Sequence, residues 1–460
     1  MPDLSIPPRH DRPGARRGAP GRTLFRGFAA LLVAVLPVAA APVLPAADAT
    51  TTAPGPPAAT GAEPPGGLLR VPLDHEQPGG PTIELYYEFG APFDPALPTV
   101  LVVGDGQQFY LRRGALRELQ ESLFGPGLNV VGLVGRGSDT SVSPHALGAD
   151  GKPDWVTAWR LFRSAQWIED LDALRARLVG RKKPVLLYGQ SGGALLVREY
   201  LARHGDRVLR AMTVVPPDPF LVGEFGLATD RFWEEIGATG PETQETMRQA
   251  MTRYASDRVT LALTLQRQNF FTPPDQIHAE RRRLIAALAG GDTDAYAKAR
   301  VAYQVEEVKA LLDLPDGVPA RVREYELFQP SGGLARLEEA GFHPDLEVQR
   351  AFAAPLLALM NSGRIPAPAL DRRGFGRLDA EVLVVAGRWD HTVDYRTAMA
   401  DATGYRNGRL FLADDDHMMG RLKEGGRLRD LAGAFLRGGF DSPGYRAAET
   451  AAASNRFVER

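Results

Sequence analysis

The sequence predicts an α/β protein: a mostly parallel central sheet flanked by helices and interrupted by a long helical insertion. Three observations carry this. Thr99 to Val103, Leu128 to Val134 and Val185 to Tyr188 are short continuous apolar runs, the mark of strands buried on both faces. Segments of helical spacing separate those runs, and strands alternating with helices imply right-handed crossovers in a parallel sheet. From about Pro219 to Arg377 the alternation stops and charged helical patterns take over, a stretch far longer than a crossover needs.

Bulk properties narrow the possibilities. The 460 residues have a formal net charge of −2, which gives nucleic acid no electrostatic footprint. The chain has no cysteine, which excludes disulfides, thiolate metal sites and a cysteine nucleophile. Arg16, Arg17, Arg22 and Arg26 precede an apolar run, Phe28 to Leu36, that is too short to span a bilayer and is followed by small residues. Residues 1–47 are therefore expected to be an export signal, with an uncleaved membrane anchor as the alternative that Pro37 and the alanines disfavour. Losing the six arginines and two aspartates of residues 1–47 would leave a mature chain near −6. Residues 48–67, rich in Ala, Thr, Pro and Gly, read as a disordered linker.

Order is expected from residue 68. Leu69 to Leu73 and Thr82 to Phe89 read as an antiparallel edge pair, the second alternating apolar and polar side chains. Two buried strands follow, with a helix from about Arg113 to Leu123 between them. Trp155 to Val179 reads as one helix with Trp167, Leu171, Leu174 and Leu178 on a single stripe. The third buried strand leads into a helix ending at His204, and Leu209 to Val215 is the next strand. Residues 219–377 form the expected cap. Strands return at Val382 to Ala386 and Leu410 to Leu412, and a helix over Leu422 to Leu436 closes the core. The expected division is thus core over 68–218 and 378–440, cap between them, and a loose tail over 441–460.

The chemistry gathers at Gly189-Gln190-Ser191-Gly192-Gly193. A strand, a Gly-x-Ser-x-Gly turn and a helix are the setting of a nucleophile elbow, where small neighbours make room for a strained serine. The same turn aims the Gly192 N–H at the serine oxygen, half of an oxyanion hole. Two later loops, Gly387-Arg388-Trp389-Asp390 and Asp414 to Met419, follow the returning strands. In a parallel sheet the residues just past the strand ends gather on one rim. Ser191, Asp390 and His417 then form a nucleophile, an orienting acid and a general base. Asp394 competes with Asp390, but Gly-x-x-Asp directly after the strand favours Asp390. His391 reads as a rim residue. The run Asp414 to Asp416 reads as a solvated loop and not as a metal site.

From about Leu69 to Phe440 these features resemble the α/β-hydrolase fold. Within it they are most similar to the proline iminopeptidase-like serine aminopeptidases, particularly the exported tripeptidyl-aminopeptidase branch. The resemblance runs through Val71-Pro72-Leu73-Asp74, Arg136-Gly137 with Ser141, Asp170-Leu171-Asp172-Ala173-Leu174-Arg175, the elbow, Gly387-x-x-Asp390 and His417. It implies a cofactor-free hydrolase acting on a peptide N-terminus through Ser191, Asp390 and His417. Where that family carries His-Gly-Gly-Pro-Gly, this chain has Gly104-Asp105-Gly106-Gln107-Gln108, so Asp105 or Gly106 becomes the second oxyanion donor. Glu326 resembles the family's acidic cap residue, and an aminopeptidase needs a carboxylate to hold the substrate ammonium. Glu234 and Glu235 are further candidates, with a solvated helix face as the alternative for all three. Phe220, Trp233, Phe270 and Phe271 either line a pocket or fill the cap core. Expected partners are a small peptide or, on the same triad, a carboxylic ester. Nucleic acid is not expected, nor lasting membrane attachment once the signal is removed. A non-catalytic binding protein on the same fold is the rival from another class.

Overall fold

The computed structural model describes residues 65–104, 114–138, 141–226, 232–233, 241–313 and 317–457. The expected signal and nearly all of the expected linker lie outside these residues, as do Asp105, Gly106, Glu234 and Glu235. An eight-stranded sheet organises the chain: β1 (Gly66–Pro72), β2 (Thr82–Phe89), β3 (Thr99–Val103), β4 (Asn129–Leu133), β5 (Val185–Gln190), β6 (Val208–Val214), β7 (Glu381–Gly387) and β8 (Asn407–Ala413). Their order across the sheet is β1-β2-β4-β3-β5-β6-β7-β8. Only β1 with β2 and β2 with β4 pair antiparallel; every other neighbour is parallel. This mostly parallel sheet, with helices on both faces and an elbow after β5, is the α/β-hydrolase fold. β1 starts two residues before the expected boundary, at Gly66, because that residue already pairs with Glu88.

The apolar runs are continuous because both faces are covered. Val185 and Leu187 of β5 enter one core, with Trp167, Leu171 and Leu174. Leu186 and Tyr188 enter the other, with Phe124, Leu431 and Phe435. The helices around the first half of the sheet are α1 (Ala115–Leu123), α2 (Trp155–Phe162), α3 (Ser164–Val179) and α4 (Gly192–His204). The single helix expected over 155–179 is two. Arg163 takes an extended backbone (ψ 149°) and a new helix starts at Ser164.

The cap comprises α5 (Pro219–Phe225), α6 (Pro241–Arg253), α7 (Arg258–Phe271), α8 (Ile277–Gly290), α9 (Thr293–Ala302), α10 (Val305–Asp313), α11 (Val318–Phe328), α12 (Gly333–Ala340) and α13 (Pro344–Asn361). It has its own core, including Phe232, Leu261, Leu265, Ile285 and Phe342. Sequence reading had no periodic signal for α7. Nine of its residues, from Thr260 to Asn269, are buried, so its apolar positions make no stripe.

After β7 come α14 (Tyr395–Gly404), α15 (Gly420–Lys423), α16 (Arg427–Gly438) and α17 (Pro443–Ala451). The closing helix expected over 422–436 is interrupted at Gly425, whose φ is 63°. The expected loose tail is also corrected. Ser442 caps α17 by accepting from the Tyr445 N–H at 3.1 Å. Tyr445 is buried 5.8 Å from the Phe435 ring and 5.5 Å from the Phe440 ring. The buried Tyr445 ring anchors a stretch that is otherwise small and polar.

Candidate active site

Ser191 sits between β5 and α4 with φ 52° and ψ −125°, a conformation that costs a non-glycine residue of order 1–3 kcal/mol. The surrounding glycines are steric necessities. A β-carbon on Gly189 would lie 2.5 Å from the Gly193 carbonyl oxygen, and one on Gly193 would lie 2.1 Å from that of Val103. The backbone is held from both sides. The Ser191 N–H donates to the Val214 carbonyl at 2.9 Å, and the Ser191 carbonyl accepts from Ala194 at 2.8 Å. The Gly192 N–H opens α4, where the helix start favours a developing negative charge.

The three residues proposed from the loops meet. His417 Nδ1 and Asp390 Oδ2 are 2.8 Å apart, and His417 Nε2 and Ser191 Oγ are 3.1 Å apart. A carboxylate only accepts, so Nδ1 carries the proton and Nε2 accepts from the serine hydroxyl. Asp390 is aimed by its own loop: Oδ1 accepts from the Thr392 and Val393 N–H groups, each at 2.8 Å. Asp394 has another task. It caps α14 through the Arg396 N–H at 2.9 Å and pairs with the Arg396 guanidinium.

Residues around these three have separate tasks. The Phe270 ring stands edge-on to the His417 imidazole, 5.3 Å between centroids at 77°. Beside it, Asn269 Nδ2 donates to the His391 carbonyl at 3.4 Å, so α7 touches both His417 and the loop after Asp390. Asp415 accepts from the Leu422 N–H at 2.8 Å, and Asp416 from the Met418 N–H at 2.9 Å. The three-aspartate run is therefore loop-shaping. Burial, then the Asp415 and Asp390 charges, push the Asp416 carboxyl up to about 6. Among the described residues no group of three His, Asp or Glu side chains is placed to hold a metal ion.

Glu326 lies on α11 against the start of α3. Its Oε1 accepts from the Ser164 N–H at 2.8 Å and its Oε2 from the Ser164 hydroxyl at 2.5 Å, which explains the break at Arg163. Sequence reading missed two of its neighbours. Arg323, fully buried one turn earlier, donates to the Gly192 carbonyl at 2.9 Å and so links the cap to the elbow. On α4 the Glu199 carboxyl is pushed up to about 8 by burial and by Glu326, with Arg323 opposing. The signal for Arg323 was its i,i+3 spacing to Glu326, which looks the same as an exposed ion pair in sequence. Trp233 belongs to the cap core: its indole N–H donates to the Phe342 carbonyl and its ring is 5.4 Å from Phe232. Phe271 tilts against Tyr303 at 6.1 Å, and Phe220 lies in the first turn of α5.

Three of the motifs behind the family resemblance, around Pro72, Arg136 and Asp170, meet at a buried ion pair. Arg136 donates to Asp170 Oδ1 at 2.8 Å and to the Pro72 carbonyl at 2.8 Å, and His75 Nε2 contacts Asp170 Oδ1 at 2.7 Å. These residues tie the loop after β4 to β1 and α3.

No protein-family model and no curated protein matches this sequence. Solved structures do resemble it at low identity. Bromoperoxidase from Bacillus anthracis is 16% identical at a TM-score of 0.38, covering 78% of this chain and 96% of that one. Serine hydrolase CCSP0084 from Cycloclasticus zankles is 14% identical at 0.38, covering 82% and 100%. Homoserine O-acetyltransferase from Staphylococcus aureus is 13% identical at 0.39, covering 83% and 98%.

Proposed function

We propose that this chain is an exported serine hydrolase that works through an acyl-enzyme on Ser191. The observation that carries the reading is the strained Ser191 with His417 Nε2 at 3.1 Å and Asp390 behind the imidazole at 2.8 Å. Strain of this kind persists only where the surroundings impose it. Ser191 Oγ attacks the substrate carbonyl carbon as its proton passes to Nε2. The Gly192 N–H stabilises the oxyanion, with Asp105 or Gly106 as the second donor. Collapse expels the leaving group, which takes the proton from Nε2 and leaves the acyl-enzyme. Water then attacks that ester, giving its proton to Nε2, and Ser191 regains one as the acid departs. Asp390 keeps Nδ1 protonated and offsets the imidazolium charge throughout.

The first substrate class is a peptide with a free N-terminus, which makes the protein an aminopeptidase with Glu326, Glu234 or Glu235 receiving the ammonium. A specific observation favours the second class, carboxylic esters: both Glu326 oxygens already accept from Ser164. An ester with an apolar acyl or alcohol part needs no carboxylate. Labelling with a fluorophosphonate, lost in Ser191→Ala, tests the hydrolase; no labelling of the wild-type chain favours a non-catalytic binding protein. Turnover of aminoacyl-arylamides against nitrophenyl esters then separates the two substrate classes. Ester turnover with every free-amino arylamide untouched eliminates the aminopeptidase.

A further inference from the structure

The C-terminal segment does more than pack. β8 is one of the two edge strands of the sheet, and its end, from Leu412 on, carries the loop to His417. The chain returns after α17 and adds a short antiparallel pairing there. The Phe457 N–H donates to the Leu412 carbonyl at 2.8 Å, the Asp414 N–H donates to the Asn455 carbonyl at 2.7 Å, and Ala413 bridges to Arg456. The Arg388 guanidinium then lies between two rings, 4.1 Å from the Trp389 centroid and 4.0 Å from that of Phe457. Trp389 in turn donates its indole N–H to Asp414 Oδ1 at 2.9 Å, and Arg388 Nε lies 3.5 Å from the same oxygen.

The positions involved are adjacent to the triad in the chain. Trp389 immediately precedes Asp390, and Asp414 is three residues before His417. The two loops also touch directly, the Arg388 N–H reaching the Ala413 carbonyl and the Trp389 N–H the Asp415 carbonyl, each at 3.0 Å. The tail adds a third party that grips both at once. An aromatic–guanidinium–aromatic stack with its head group partly desolvated is worth more than an exposed one.

We infer that the segment ending at Phe457 is a clasp that sets the distance between Asp390 and His417, with Phe457 as its positioning residue. The inference rests on the hydrolase reading. Displacement of a catalytic group by about 1 Å costs on the order of a hundredfold in rate. Loosening the clasp thus lowers the acylation rate while leaving substrate contacts alone.

The test compares the wild-type chain with Phe457→Ala, Phe457→Tyr and a deletion of residues 453–460, all assayed well below their melting temperatures. The readouts are the fluorophosphonate labelling rate of Ser191, and kcat and KM on a nitrophenyl ester. Phe457→Ala is expected to lose tenfold or more in labelling rate and kcat with KM within twofold, and Phe457→Tyr to restore both. Wild-type labelling with an unchanged rate in Phe457→Ala overturns the clasp. So does a loss matched by the unfolded fraction, which would make the tail a stabiliser only. If the deletion does not fold, the point variants decide alone. A wild-type chain that does not label defeats the hydrolase reading instead.

Discussion

Glu199→Gln should make the protein more stable in alkaline solution and not in acid. Glu199 lies on α4, two turns beyond the serine, with Glu326 as its charged neighbour and Arg323 as partial compensation. Its carboxyl goes from an ordinary 4.5 to about 8 on folding, because burial and the Glu326 charge both oppose ionisation. A raised acid favours the folded state fully below pH 4.5, and that contribution is lost as pH rises through about 8. At about 1.4 kcal/mol per pH unit, the full loss across that window approaches 5 kcal/mol. Glu199 keeps some contact with solvent, which brings the expected effect to about 2 kcal/mol. Glutamine has the same shape and no charge. In a domain of this size the variant should melt roughly 2–4 °C above wild type at pH 9 and match it at pH 5. Thermal unfolding by circular dichroism across pH 5 to 9 measures this. A gain at pH 9 no larger than at pH 5 refutes the reasoning.

Other outcomes follow from the site. Asp390→Asn should keep the fold but lower kcat about 10³–10⁴-fold, because an amide donating to Nδ1 imposes the wrong tautomer. Asp394→Ala should leave the labelling rate of Ser191 within about twofold and cost about 1 kcal/mol in denaturant unfolding, since Asp394 caps α14. Ser191→Gly should abolish labelling and raise stability by about 1 kcal/mol, since glycine holds a positive φ without strain. Asp416→Asn removes a negative charge beside His417⁺. The acid limb of the kcat/KM profile should then move to lower pH by about half a unit; a move upward would contradict this sign.

Much of this protein was legible because its fold repeats one local rule. A strand buried on both faces must be apolar throughout, so β3, β4 and β5 announce themselves, and the elbow follows β5 within a few residues. Ser191, Asp390 and His417 could be named because each lies just past a strand end. Spacing after the strand favoured Asp390 over Asp394, but the physical reason for the difference lies in three dimensions. Both are buried aspartates in one loop, and which of them faces the imidazole depends on where two N–H groups turn Asp390 and where Arg396 draws Asp394. The same limit hid α7, whose burial on most sides erases periodicity, and Glu326, whose charge suggested a ligand while its oxygens cap α3. It also hid the ordered C-terminus. A pattern along the chain records how much of a residue is buried, whereas a partner 70 or 160 residues away is fixed only when the sheet brings distant segments together.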